Sequence, residues 1–202
     1  MAGAGREPSR RVSGRALAAI TFLLAQGGAA AVADVEEAAR HGQGPVAGHV
    51  AQDGTLLLPT TEALAAAPVL PEPTPGTAPR SVAEVVDGLL AAHRAYVDAD
   101  PDRFVAITHL ASAAVFGRRE LLAPLADRNR RTRATAHQHL LRLHDVGLVA
   151  QPRADLRSIA RLLVDSATGI ELCHKILPDS AVRDATYAEL SRTIQDRLTR
   201  ST

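Results

Sequence analysis

Aromatic side chains are scarce in this sequence, and that scarcity limits the kinds of core the chain can form. Only three Phe, two Tyr and no Trp occur among 202 residues, although 46% of the residues are hydrophobic. The core must therefore be built mainly from Ala, Leu, Val and Ile. Ala and Leu favour helices, whereas β-sheets draw on aromatic and β-branched side chains. The composition predicts an all-α fold.

Charge and motif content exclude several classes of protein. With 23 basic and 22 acidic residues the net charge is +1, so no global field attracts the chain to nucleic acid or to an acidic membrane. A single cysteine excludes an intramolecular disulfide. No apolar run reaches the roughly 18 residues of a membrane-spanning helix. The absence of a phosphate loop, a nucleophile elbow or an acid pair predicts a non-enzyme without catalytic residues or a cofactor.

Short helices are predicted at the N-terminus. They cover residues 14–26, 32–40, 45–50 and 53–67. Gly27-Gly28 is expected to end the first helix. Pro59 is expected to split or shorten the fourth, because proline removes a backbone donor and crowds the preceding turn.

A proline-rich segment follows these helices. Five prolines occur from Pro68 to Pro79, a density that favours an extended, polyproline-like connector with a reach of roughly 3.1 Å per residue. The predicted organisation is an N-terminal module over 1–67, a linker over 68–80 and a C-terminal helical domain over 81–202. Such a linker is expected to couple the two domains loosely.

The C-terminal region has a regular pattern of amphipathic helices. They are predicted over residues 82–98, 102–115, 118–146, 155–175 and 179–199. Ser81 is expected to cap the first, Gly147 to end the third, and Asp179 or Ser180 to cap the last. The apolar stripes of the last two exceed what one partner face could cover, which predicts a four-helix interface in a homodimer. The expected interface residues are Leu163, Ala167, Ile170, Leu190 and Ile194.

Several motifs resemble those of the tetracycline-repressor (TetR) family of bacterial regulators. The run from Gly147 through Pro152, then Asp155-Leu156 and 160–163, is similar to the family's entry into its dimer helices, and 120–125 precedes it as in the family. The similarity is one of pattern and order over roughly the last 120 residues. It implies a helix-turn-helix module followed by a larger ligand-binding and dimerisation domain. The implied function is a cytoplasmic one-component regulator, a repressor, that binds double-stranded operator DNA as a homodimer and responds to a small-molecule effector.

The resemblance also implies where DNA is contacted. The predicted DNA-binding residues are Arg10, Arg11, Gln43, His49 and Gln52. Glycine, proline and alanine occupy 44–48, where the family's recognition helix has its signature, so few side chains can read base edges. An arginine-rich arm can enter a minor groove beside a helix-turn-helix. DNA affinity is therefore expected to come mainly from phosphate contacts.

An effector pocket is expected between the helices at 82–97, 103–115 and 118–146. Its larger or polar side chains are Tyr96, Phe104, Thr108, His109 and Phe116. Such a mixture suits a mostly apolar ligand held by one or two hydrogen bonds. Core packing alone explains the same residues equally well.

Three alternatives stay open at this stage. Residues 132–149 also resemble the recognition helix of winged helix-turn-helix regulators, although the lack of a following strand pair favours a core helix. Arg10-Arg11 before an apolar stretch imitates a twin-arginine export signal, which would indicate an exported helical protein. A degenerate recognition helix would also suit a TetR-like dimeric ligand-binding protein that has lost DNA binding.

Other polar residues are interpreted as structural. His137, His139 and His144 are not spaced to put metal ligands on one helix face, so no metal site is predicted. Cys173 is interpreted as an inert buried thiol, and Glu171 is placed off the apolar stripe of its helix. The arginines over 128–133 are expected to form a solvated face paired with Asp127 or Asp145.

Overall fold

The computed structural model describes residues 14–41 and 56–200. This part of the chain is helical and contains no strand, which confirms the predicted all-α fold. The helices are α1 (Gly14–His41), α2 (Leu57–Ala66), α3 (Val82–Ala99), α4 (Pro101–Phe116), α5 (Leu122–Asp145), α6 (Arg153–Ile176) and α7 (Ser180–Thr199), with a 3₁₀ turn at Arg119–Leu121. Among the described residues, no helix combines the length and the apolarity needed to cross a bilayer.

The chain forms two compact units that differ from the predicted domains. The first consists of Met1–Ala67 with Asp100–Arg128, and the second of Pro68–Ala99 with Asn129–Thr202. A boundary at 67/68 agrees with the sequence analysis. The predicted domain over 81–202 does not, because the segment 100–128 belongs to the first unit.

Packing of α4 against α1 explains why that segment joins the first unit. Ile20 and Leu24 of α1 share a core cluster with Leu110 and Ala114 of α4, and all four side chains are buried. Arg103 adds a polar tie, since its Nη2 donates to the carbonyl oxygen of Leu64 at 2.7 Å. That bond satisfies a carbonyl near the C-terminus of α2, which the helix itself leaves without a partner. The apolar face of α1 thus needs α4 as well as α2.

Helix α1 is continuous, so the predicted break at Gly27-Gly28 is wrong. Glycine costs only about 1 kcal/mol in a helix interior. Buried residues on both sides of the pair, Leu24 before it and Val32 after it, pack in the same core cluster and hold the helix together. A Cβ added at Gly27 would lie 2.6 Å from the Cβ of Ala31, so glycine is the residue that fits there. The predicted helix over 45–50 lies outside the described residues.

The second unit packs α3, α5, α6 and α7 around one core. Its largest fully enclosed side chains are Leu140, Leu143, Leu156, Leu163, Ile194 and Leu198. Two predicted helix caps are confirmed: Ser81 Oγ accepts from the backbone N–H of Glu84 at 3.0 Å, and the Asp179 carboxylate accepts from that of Val182 at 3.0 Å. Gly147 adopts a φ of 77° just after α5, the left-handed conformation that ends many helices. The segment 132–149 is therefore largely a core helix, not part of a winged motif.

Residues 68–80, called the strap below, are not a free linker. Val69 and Leu70 are buried in the core of the second unit. Three hydrogen bonds join the strap to α5: Thr135 Oγ1 to Glu72 Oε1 (3.0 Å), His139 Nε2 to Pro71 O (2.9 Å), and Arg142 to Thr77 O. Prolines lose little backbone entropy when a segment is ordered, so a proline-rich segment docks at a low entropic cost. The prediction that residues 68–80 form an extended linker free of either domain is wrong.

Helix α2 is shorter than the predicted 53–67, as expected from Pro59. It begins at Leu57, only two residues before the proline. Proline is tolerated in a first turn, where its missing N–H has no helical partner in any case.

Candidate ligand-binding site

The five side chains expected to form an effector pocket are divided between the two units. Tyr96 lies on α3 in the second unit, half-buried against its core. Phe104, Thr108 and His109 lie on α4 in the first unit. There Phe104 is buried, the Thr108 hydroxyl donates to the Phe104 carbonyl oxygen, and His109 Nδ1 donates to the Leu24 carbonyl oxygen at 2.6 Å. Phe116, at the end of α4, is 89% exposed.

The predicted dimer residues face the core of their own chain. Leu163, Ala167 and Ile194 are at most 1% exposed, and Leu190 is 9% exposed. All four belong to the core cluster of the second unit, against which Ile170 also packs. The apolar stripes of α6 and α7 are wider than one facing helix could cover. They are that wide because α3 and α5 also pack against them. These side chains are thus used in the packing of their own chain.

The predicted DNA-binding residues, Arg10, Arg11, Gln43, His49 and Gln52, lie outside the described residues.

A cavity of about 410 Å³ lies where α6 and α7 meet, close to the turn between them. Gly169, Ile170 and Cys173 of α6 form one side of it. Leu177 and Val182 line it from the turn and from α7, and both are exposed. The polar groups in the lining are His174, Asp179, Arg183 and Thr186. This volume falls within the range of small-molecule sites, and the mainly apolar lining with a few polar groups is typical of them.

Cys173 is exposed beside this cavity, so its interpretation as a buried thiol is wrong.

A buried ion pair lies behind the cavity. Glu171 on α6 is 0% exposed and Arg183 on α7 is 7% exposed. Arg183 Nε donates to Glu171 Oε1 at 3.0 Å, and its Nη2 reaches both carboxylate oxygens at 2.7 Å. The same Nη2 donates to Asp98 Oδ1 on α3 at 2.8 Å. Charged groups are costly to bury unless they are paired and hydrogen-bonded, and here the pair satisfies both members.

Tyr187 and His93 extend this pair into a network across three helices. The Tyr187 hydroxyl donates to Glu171 Oε1 at 2.7 Å, and His93 Nδ1 lies 3.3 Å from the Tyr187 oxygen. His93 Nε2 lies 3.3 Å from Thr168 Oγ1, whose own proton goes to the Val164 carbonyl oxygen. The hydroxyl protons of Tyr187 and Thr168 are both donated in these bonds. The buried ring of His93 therefore lies between two hydroxyl oxygens that act as acceptors.

Two members of this network, Tyr187 and Arg183, have raised pKa values. Burial raises the pKa of Tyr187, and the hydrogen bond to Glu171 and its negative charge raise it further, so the phenol stays protonated. Burial works to lower the pKa of Arg183, but the hydrogen bonds to Asp98 and Glu171 outweigh it and leave the pKa raised. Arg183 therefore stays positively charged.

Asp98 makes the stability of the second unit depend on pH. Its partial burial works to raise its pKa, but the Arg183 hydrogen bond and the charges of Arg183, Arg94 and Lys175 outweigh this and lower the pKa below the usual 3.8. A carboxyl with a lowered folded-state pKa stabilises the fold above its unfolded pKa and loses that contribution as pH falls through the folded value.

We expect Asp98→Asn to destabilise the protein at pH 7 and to do so progressively less below about pH 4. Urea unfolding of both proteins at pH 7, 4 and 3 measures this effect. A stability difference that stays constant across these pH values would contradict the assignment.

A second cavity, of about 260 Å³, lies under the strap. Pro71, Thr77 and Pro79 of the strap line it, together with Gly88 of α3 and His139 of α5. His139 already donates to the strap, and so does Arg142, another lining residue. Its polar groups are engaged in holding the strap, which makes it a weaker candidate than the cavity at α6 and α7.

Arg133 of α5 has a structural partner. Arg133 bonds Asp165 of α6 through Nε and Nη2, at 2.9 and 2.7 Å. Asp145, expected to pair with the arginine cluster, instead bonds Arg153. No group of three or more His, Cys, Asp or Glu side chains in the described part of the chain is arranged to hold a metal ion.

Glu171 and Arg183 were not predicted as a pair from the sequence, although a signal was present. Glu171 follows Leu163 and Ala167 at intervals of four, which places it on the buried stripe and not beside it. Arg183 precedes Tyr187 and Leu190 on the stripe of α7 in the same way. A charged residue at a core position of one helix, matched by an opposite charge at a core position of the next, indicates a buried pair.

Comparisons with protein-family models, with curated proteins and with solved structures find no match for this chain.

Proposed function

We propose that this protein is a small-molecule-responsive transcriptional regulator of the TetR type, with its effector site in the second unit. The cavity at α6 and α7 is the observation that supports an effector site. It joins an apolar lining to the charged side chain of Arg183, which is itself almost fully buried. A ligand there would contact a group that connects α3, α6 and α7, so its binding would bias the packing of three helices.

The DNA-binding part of the proposal rests on the sequence. Arg6, Arg10 and Arg11 precede α1 in the sequence and Arg15 lies in its first turn, and in this proposal they meet phosphates while Gln43 and His49 reach base edges. In this proposal the protein acts as a homodimer on an operator and the effector changes its affinity for DNA. The dimer contacts would come from exposed side chains, since the stripes of α6 and α7 are used within the chain.

A second candidate function is a ligand-binding protein that does not read DNA. The continuity of α1 favours it, because the module predicted from the sequence has a break at Gly27-Gly28 between its first two helices and the described residues have none there. Both candidates share the effector cavity, and they differ in whether the chain binds an operator.

DNA binding separates the two candidates. We expect genomic fragments to be shifted at low salt with weak sequence selectivity, and the affinity to fall steeply as salt rises. Deletion of the first twelve residues removes Arg6, Arg10 and Arg11, and should lower the logarithmic salt slope by roughly 0.9 for each phosphate that the arm no longer neutralises. Gel shifts at two salt concentrations measure both effects, and light scattering at micromolar concentration gives the oligomeric state.

Failure to shift any fragment at low salt would contradict the regulator and support the ligand-binding protein. A tight complex that survives both the arm deletion and moderate salt would show that residues outside the arm carry the affinity.

A further inference from the structure

One nitrogen of the Arg183 guanidinium makes no hydrogen bond among the described residues. Nε and Nη2 bond Glu171 and Asp98, whereas no hydrogen bond within the described part of the chain involves Nη1. Among the described residues, the side-chain nitrogens that are fully enclosed and lack a hydrogen-bond partner do not include Nη1. Since Nη1 has no such partner, it must retain some solvent-accessible surface. Arg183 lines the cavity, and its two remaining N–H groups are therefore donors available to a molecule bound there.

We infer that the cavity at α6 and α7 binds a small, uncharged, largely apolar molecule through a carbonyl oxygen that accepts a hydrogen bond from Arg183 Nη1. This inference rests on the proposed effector site and adds the chemical class of the effector. A hydrogen bond from a charged donor is stronger than one between neutral groups, so this contact would orient the ligand.

The charges around Arg183 favour a neutral acceptor over an anion. The single positive charge of Arg183 is already shared by two carboxylates, Glu171 and Asp98. A third carboxylate, that of Asp179, lines the same cavity. A ligand carboxylate would be desolvated next to these groups, and Arg183, whose charge they already share, is the one Arg or Lys side chain in the cavity lining within the described residues. A ketone or amide oxygen needs only a donor, which Nη1 supplies.

The rest of the lining suits an apolar body. Ile170, Leu177 and Val182 offer aliphatic surface. Gly169 leaves space, because a Cβ added there would meet no atom within 4 Å. An aliphatic ring or short chain would cover Leu177 and Val182, which are 77% and 60% exposed.

A pair of probes with the same apolar body tests the inference. Cyclohexyl methyl ketone and cyclohexanecarboxylate differ mainly in charge, and each is titrated into the full chain while the methyl resonances of Ile170 and Val182 and the Arg183 side-chain resonances are followed by NMR. We expect the ketone to bind at least about tenfold more tightly than the carboxylate and to shift the Arg183 signals. Equal or tighter binding of the carboxylate would overturn the inference, and so would failure of the ketone to bind.

Two glycine substitutions locate the site. Gly169→Leu should place a side chain in the cavity and reduce ketone binding at least about tenfold. Gly88→Leu is the matched control, because Gly88 is also helical and open but lines the cavity under the strap. Unchanged ketone binding to Gly169→Leu, or loss of binding only in Gly88→Leu, would overturn the assignment.

The role of Arg183 is tested in a background that removes both charges of the buried pair. The double variant Glu171→Gln/Arg183→Met removes Nη1 without leaving a buried carboxylate unpaired, and it should bind the ketone about tenfold more weakly. Unchanged binding by the folded double variant would overturn the role of Nη1, and the Gly169 and probe comparisons decide the inference if the variant does not fold.

Gel shifts with the ketone separate this inference from the proposed function. Ketone binding by a chain that shifts no DNA supports the inference and contradicts the regulator. A chain that binds DNA but does not bind the ketone supports the regulator and contradicts the inference.

Discussion

Replacing Arg183 with methionine is expected to lower the free energy of unfolding by about 3–5 kcal/mol. The substitution removes three hydrogen bonds to Glu171 and leaves that carboxylate, which is 0% exposed, without a counter-charge. An isolated buried charge costs far more than the removal of an ion pair at the surface. Urea unfolding followed by circular dichroism at pH 7 measures the loss.

The double variant Glu171→Gln/Arg183→Met is the control for this prediction. Replacing both members of a buried pair by uncharged groups of similar size is often close to neutral, and the Gln oxygen can still accept from the Tyr187 hydroxyl. The double variant should therefore recover most of the stability lost by Arg183→Met alone. If it is as unstable as the single variant, the cost comes from poorer packing and not from the unpaired carboxylate.

Leu163→Ala is expected to lower the free energy of unfolding by about 2–5 kcal/mol. Leu163 is 1% exposed and packs inside the core of the second unit, so truncation leaves a cavity there. Leu172→Ala, on the same helix but 39% exposed, should change the stability by no more than about 0.5 kcal/mol. Urea unfolding gives both values, and light scattering gives the molecular mass.

These measurements also decide between a core role and an interface role for Leu163. If Leu163 is a core residue, Leu163→Ala should lower the free energy of unfolding and leave the mass of the folded protein unchanged. A lower mass with unchanged unfolding would restore the interface predicted from the sequence.

Local signals in the sequence predicted the fold class and most helix ends of the second unit. Ser81, Asp179 and Gly147 act where they were expected, because capping and left-handed turns depend on a few neighbouring residues. The same local rules failed at Gly27-Gly28. A glycine pair lowers helix stability by a small amount, and burial of Leu24 and Val32 in one cluster outweighs that amount.

The candidate site was less predictable because it is defined by contacts between distant residues. Periodicity identified the buried stripes of α6 and α7 but not what covers them, so Leu163 and Ile194 were assigned to a second copy and not to their own core. Tyr96 and Phe104 were grouped by proximity in sequence, whereas the structure puts them in different units. Glu171 and Arg183 escaped notice because each looks like an ordinary surface charge until the two helices face each other.

The sequence by itself determined that this chain is helical, where many of its helices begin and end, and which side of each helix is apolar. These properties follow from side-chain propensity, capping and the 3.6-residue period, all of which act within a few residues. Only the tertiary structure decided that 100–128 joins the first unit, that the strap docks on α5, and that Glu171 meets Arg183 beside a cavity. Each of these depends on which apolar faces bury each other, and that choice is made by packing between elements far apart in the sequence.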